Sequence, residues 1–179
     1  MGVADAFAMA RLKVPPDAGK RRDKGVREIG WAEFGDLARH LAERVGADYK
    51  PDVVLGVVSG GVFLGGALAL PLKAEFHPVR VEKRGSRVVV LDDLGDLREK
   101  SVLVVDDVTS SGKTLATVCA TAEKAGATET RTATLVVRPT GNRSDYHALD
   151  TTDLIVFGWD YQLHGDPGTE SGDPGAFGV

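Results

Sequence analysis

Ser101-Val102-Leu103-Val104-Val105-Asp106-Asp107-Val108-Thr109-Ser110-Ser111-Gly112-Lys113-Thr114-Leu115 decides how this chain folds. It starts as a short apolar run rich in β-branched side chains, the signature of a strand buried on both faces. Two adjacent carboxylates, Asp106 and Asp107, close the run. Small and hydroxylic residues follow, then Gly112-Lys113-Thr114, and from Leu115 the pattern is helical. A buried strand that carries acids at its C-terminal end and turns into a helix N-terminus suits an anion-bearing ligand. Backbone N–H groups and the helix dipole would hold a phosphate there, and the two carboxylates could hold hydroxyls or a metal ion.

A second joint repeats this logic. Lys50-Pro51-Asp52 leads into an apolar run over 53–58, which ends in Ser59-Gly60-Gly61 before an apolar helix over 62–72. Paired glycines let a backbone approach a ligand closely. In open parallel sheets, ligands bind beyond the carboxyl ends of strands, where two such loops converge.

Working outward, Phe34, Leu37, Ala38, Leu41, Ala42 and Val45 recur at helical spacing between Trp31 and Gly46. Val79-Arg80-Val81-Glu82 and Val88-Val89-Val90-Leu91 read as strands. The basic link Lys83-Arg84-Gly85-Ser86-Arg87 joins them as a hairpin or mobile loop, with cations that suit an anionic substrate. Asp92-Asp93-Leu94-Gly95-Asp96 reads as a solvated turn. The helix from Leu115 stops near Gly126, a usual terminating glycine, and further strands are expected over 131–137 and 154–157. Strands alternating with helices predict an α/β fold, a mostly parallel central sheet flanked by helices.

The composition agrees. The 179 residues are 42% hydrophobic and 27% charged, with a net charge of −4, which suits one soluble domain and gives no pull toward nucleic acid or anionic membrane. The single cysteine, Cys119, excludes an internal disulfide and reads as a small core residue. No apolar stretch approaches the roughly 20 residues of a membrane span, and the first dozen residues lack the pattern of a signal peptide. A cytoplasmic location is expected. Residues 1–27, with Lys20-Arg21-Arg22-Asp23-Lys24, are expected to be a mobile segment, 28–162 the folded domain, and the Gly- and Pro-rich 163–179 a disordered tail.

Ser111-Gly112-Lys113-Thr114 imitates the end of a nucleotide-triphosphate P-loop. That motif also needs a glycine five residues before Gly112, and the occupant is Asp107, an anion where phosphate should be cradled. The P-loop reading fails on its own spacing.

Residues 102–115 instead resemble, almost position for position, the phosphoribosyl-diphosphate (PRPP) motif of type I phosphoribosyltransferases. Lys50-Pro51-Asp52, Arg138-Pro139-Thr140-Gly141-Asn142-Arg143 and Asp153-Leu154-Ile155-Val156-Phe157-Gly158-Trp159-Asp160 resemble the xanthine–guanine and hypoxanthine branch. The resemblance implies the type I fold, with a small hood formed by the chain ends, and transfer of the phosphoribosyl group to a purine base with release of pyrophosphate. It implies Asp106 and Asp107 on the ribose hydroxyls with Mg2+ nearby, Asp160 completing the metal site, and Thr109, Ser110, Ser111, Gly112, Lys113 and Thr114 around the 5′-phosphate. It implies Ser59, Gly60 and Gly61 on the pyrophosphate, aided by Lys83 and Arg84, with a cis peptide between Val58 and Ser59. Arg138, Leu154, Ile155 and Asp160 would form the base pocket. Relatives are often dimers or tetramers, so a homo-oligomer is expected.

Several positions depart from that pattern. Ser110 stands where purine enzymes usually carry an aspartate that manages the proton on the base, and serine is a poor general base. Ser59 replaces a cation, Leu154 replaces a stacking aromatic, and Arg138 replaces a lysine. These differences sustain a second reading, a PRPP- or nucleotide-binding regulatory protein with little or no catalysis. The segment before Trp31 is too short for the added DNA-binding domain of such repressors.

Overall fold

The computed structural model describes residues 25–139 and 142–160. The segments expected to be mobile at 1–27 and disordered at 163–179 lie outside these residues, apart from 25–27. Thr140, Gly141 and 161–162 lie outside them as well.

In chain order the elements are β1 (Val26–Ile29), α1 (Trp31–Asp48), β2 (Val53–Val57), α2 (Gly60–Leu72), β3 (Glu75–Val79), β4 (Val81–Arg84), β5 (Arg87–Val90), β6 (Ser101–Thr109), α3 (Lys113–Lys124), β7 (Glu129–Val137), β8 (Tyr146–Asp150) and β9 (Leu154–Phe157). A five-stranded sheet has the order β3-β2-β6-β7-β8, and every neighbouring pair in it is parallel. The opening stretch is its middle strand.

Strand alternation sorts the core into two layers. Leu103 and Val105 of β6 face one way, joining Phe34, Leu41 and Val45 of α1 and Leu64 and Leu68 of α2. Val102 and Val104 face the other way, joining Leu115, Val118 and Ala122 of α3 with Val53, Leu55 and Val57 of β2. Such two-sided burial is why both strands read as continuous apolar runs. Gly56, Gly61 and Gly65 let α2 settle unusually close to the sheet. A Cβ on Gly61 would lie 2.5 Å from the Val105 carbonyl oxygen, and one on Gly65 would lie 2.6 Å from the Phe76 ring.

Two small units flank the sheet. The hairpin β4–β5 is antiparallel, pairing Val81 with Val90 and Arg84 with Arg87. The parallel pair β1–β9 matches Val26 with Leu154 and Ile29 with Phe157, so the two ends of the described chain form one ribbon. That ribbon is the expected hood. The boundary drawn at 27/28 falls inside β1, because Val26 and Arg27 already pair with β9.

Besides β1, three strands differ from the sequence reading. β3 lies on the sheet edge and carries Pro78 and two polar residues. The run 79–82 is broken at Arg80, which separates β3 in the main sheet from β4 in the hairpin. β8 is the opposite edge strand. The 92–96 stretch is a solvated turn as expected: Gly95 has φ +68°, and Asp92 and Asp96 are engaged by Arg80 and Arg98.

Candidate functional site

β6 ends with its two acids on opposite faces of the sheet, following the alternation of the valines before them. Asp106 continues the face of Val102 and Val104, toward α3 and the hairpin. There it lines a cavity of about 230 Å³ with Lys83, Ser86, Arg87 and residues 109–114. Asp107 continues the face of Leu103 and Val105, toward α2, and its carboxylate lies against Gly60 so closely that any Cβ there would overlap it. One strand end thus presents an acid to each of two loops.

The loop after β6 reaches α3 through Gly112, whose φ of +71° lies in the left-handed region that glycine adopts without strain. Its α-carbon packs against Asn142, because a Cβ on Gly112 would lie 2.8 Å from that of Asn142. Ser110, Ser111 and Lys113 are exposed, while Thr109 is buried at the end of β6. At the other joint, the Val58–Ser59 peptide bond is cis, as the resemblance implies. Gly60 and Gly61 open α2, and the Asp107 carboxylate lies beside this first turn.

Burial and neighbouring carboxylate charge raise both acids above the ordinary carboxyl range. The Asp106 carboxyl is pushed up to about 7, first by burial and then by the neighbouring Asp107 charge, while Lys83 pulls the other way. Asp107 is also raised, chiefly by burial, with Asp160 adding repulsion; the Val108 N–H opposes this by donating to Asp107 Oδ1 at 2.7 Å. The Asp107 N–H donates to Asp106 Oδ1 at 3.0 Å. Perturbed carboxylates at a strand end inside a cleft are a functional signature.

These shifts give a pH dependence with a definite sign. A carboxyl raised in the folded state keeps its proton where the unfolded chain has already lost it. Its contribution to stability is therefore full below about pH 4 and disappears as pH rises through about 7. Melting temperatures of the ligand-free protein between pH 4 and 8 should carry this decline, and Asp106→Asn should reduce it to the part that Asp107 contributes.

The other expected site residues divide. Lys83 lines the cavity and Arg84 does not. In β4, Val81 and Lys83 share the inner face, whereas Arg84 points out, donating to Glu82 Oε2 at 2.8 Å beside Thr117 and Thr121. Arg84 does not line this cavity, whereas Arg87, its cross-strand partner in the hairpin, does. Strand alternation from the half-buried Val81 carries that signal in the sequence. Ile155 is only 8% exposed and packs in the core, so its side chain is unavailable to a ligand; Leu154 is 57% exposed. Arg138 donates through Nη1 to the Asp153 carbonyl, which holds its guanidinium at the start of β9.

Asp160 closes the turn after β9 by accepting the Phe157 N–H at 2.9 Å, and its charge is felt at Asp107. Among the described residues no three His, Cys, Asp or Glu side chains are arranged to hold a metal. The acid pair fits Mg2+, which commonly binds through one or two carboxylates with substrate oxygens and water supplying the rest.

A phosphoribosyl transferase domain model matches residues 30–165. The chain belongs to that family. It is similar to a purine phosphoribosyltransferase from Pyrococcus horikoshii Ot3, at 32% identity and a TM-score of 0.71, covering 76% of this chain and 95% of that one. It also shares the fold of the Helicobacter pylori xanthine-guanine-hypoxanthine phosphoribosyltransferase, at 20% identity, a TM-score of 0.66, and coverage of 77% and 94%. Among curated proteins it is similar to an orotate phosphoribosyltransferase of Saccharolobus solfataricus, 34% identical over 85 residues, which are 46% of this chain and 41% of that protein. The match thus spans about two fifths of that relative's length. Among the described residues no helix is long and apolar enough to cross a membrane.

Proposed function

We propose that the protein is a Mg2+-dependent phosphoribosyltransferase that joins the phosphoribosyl group of PRPP to a 6-oxopurine. The observation that carries this reading is the division of labour at the end of β6, with Asp106 facing the phosphate loop and Asp107 facing the Ser59–Gly60–Gly61 loop. A ribose placed there would give its hydroxyls to the two acids. Its 5′-phosphate would meet the backbone and hydroxyls of residues 109–114 with Lys83 and Arg87, and its diphosphate would lie at the N-terminus of α2.

A nitrogen of the base would then attack C1 of the ribose as the C1–oxygen bond to pyrophosphate breaks, and the proton displaced from the base would pass to water. Positive charge grows on the sugar and negative charge on the leaving group. The buried acids favour the first, and the α2 N-terminus favours the second. Bound Mg2+ would supply charge neutralisation of the diphosphate. Ser110 gives its hydroxyl to the phosphate and is no general base.

Purine preference is supported by the 32% identity to the Pyrococcus purine enzyme across nearly all of that chain. Orotate is the second reading, favoured by the curated relative and by the forked guanidinium of Arg138, which suits a carboxylate. Incubation with PRPP, Mg2+ and hypoxanthine, guanine, xanthine, adenine or orotate separates them. Turnover is expected with a 6-oxopurine and not with orotate; orotate turnover alone would replace the purine reading. Tight PRPP binding with no turnover on any base would select the regulatory alternative.

A further inference from the structure

Five aromatic rings gather where the hood meets the N-terminus of α2. Trp159 lies between two phenylalanines: Phe157 is stacked on it at 4.5 Å and 8°, and Phe63 at 4.8 Å and 18°. Phe34 meets Trp159 edge-on at 5.1 Å, and Trp31 leans on Phe63 and Trp159, each at 5.6 Å. The buried Nε1 of Trp159 has no hydrogen-bond partner among the described residues. The indole is therefore fixed through its ring faces and edges, and its orientation depends on what stacks against it.

What the stack connects gives it significance. Phe63 is in the first turn of α2, two residues after Gly61, and Trp159 immediately precedes Asp160. The turn is tight, because the Asp160 N–H donates to the Phe157 carbonyl at 2.9 Å and Asp160 Oδ2 accepts the Phe157 N–H. Gly158 in that turn lies under Trp31, where a Cβ would come within 3.1 Å of the indole nitrogen. The rings thus bridge the glycine loop that faces Asp107 and the turn whose carboxylate is felt at Asp107.

We propose that the Phe63–Trp159 contact is a positioning link. It sets the Gly158–Asp160 turn relative to the Ser59–Gly60–Gly61 loop, so that a diphosphate bound at the loop is registered at the Trp159 ring. This rests on the phosphoribosyltransferase reading only for the identity of the bound anion. Phe63 is 40% exposed, so Phe63→Leu keeps an apolar side chain, removes the ring face and should leave the fold intact.

The test uses Trp31→Phe, which leaves Trp159 as the sole tryptophan, titrated with inorganic pyrophosphate and Mg2+. A change in indole fluorescence is expected in that protein and its loss in Trp31→Phe/Phe63→Leu, with unchanged far-ultraviolet circular dichroism. In the enzyme assay, Phe63→Leu should raise KM for the base by about tenfold while moving kcat much less, and Phe63→Tyr should restore it. No fluorescence change, or one that survives Phe63→Leu, overturns the link. Unaltered kinetic constants in Phe63→Leu also overturn it. If the protein turns over no base yet the fluorescence change appears and needs Phe63, the link stands and the transferase reading falls.

Discussion

Gly60→Ala is expected to cut turnover by about 100-fold while leaving a folded protein. The cause is local. A Cβ at position 60 overlaps the Asp107 carboxylate and comes within 2.9 Å of Asp107 Cβ. The carboxylate is the more movable partner, so it swings away from the position proposed to meet the ribose, and KM for PRPP should rise with the fall in rate. Gly66, two turns later in α2, is the control. Its Cβ would meet nothing within 4 Å, so Gly66→Ala should keep full activity and gain about 0.5–1 kcal/mol of stability from helix propensity. Steady-state kinetics and thermal melts of the two variants make the comparison. Equal activity in both would deny Asp107 its place opposite the loop.

Asp107→Asn should be the most damaging isosteric change, lowering turnover by about 100- to 1000-fold. Unlike Gly60→Ala, it should also stabilise the empty protein. Asp107 is held above its ordinary range chiefly by burial, with the Asp160 charge adding to it, and its own charge raises Asp106. A neutral amide ends that repulsion. A gain of about 1 kcal/mol corresponds to roughly 2–4 °C in a chain of this size. With Asp107 neutral, Asp106 should also titrate lower, so the decline of stability with pH shifts toward acid. Higher melting temperature with lost activity is the pattern of a site strained for its ligand. Calorimetry across pH with parallel rate measurements checks both halves.

What could be read from the chain followed burial. β2 and β6 are covered on both faces, and their sequences announce it as continuous apolar runs, so the centre of the sheet and the acids at its end were legible. β3 and β8 lie on the sheet edges, where one side needs no partner. Glu75, His77 and Pro78 are tolerated there, and the pattern that marks a strand fades. β1 has only four residues, and its partner β9 lies more than 120 residues away. Nothing local in Val26-Arg27-Glu28-Ile29 reports that pairing.

The site followed the same rule. Gly60 and Gly112 answer to backbone geometry, a close approach and a positive φ, and such positions are legible as glycines in the sequence. A run of cations shows charge and not direction, so only the faces of β4 separate Lys83, which lines the cavity, from Arg84, which does not. Ile155 fell in a stretch assigned to the base pocket, yet strand alternation turns its side chain into the core. The aromatic bridge of Phe63 and Trp159 joins residues 96 positions apart, and only the fold brings them together.

The most direct test is phosphorus NMR of the protein with PRPP, Mg2+ and hypoxanthine, guanine or xanthine. The diphosphate resonances of PRPP should decay while those of free pyrophosphate and a nucleoside monophosphate grow at equal rates, and Asp107→Asn should abolish the conversion. PRPP resonances that persist unchanged with all three bases would contradict the proposed transfer.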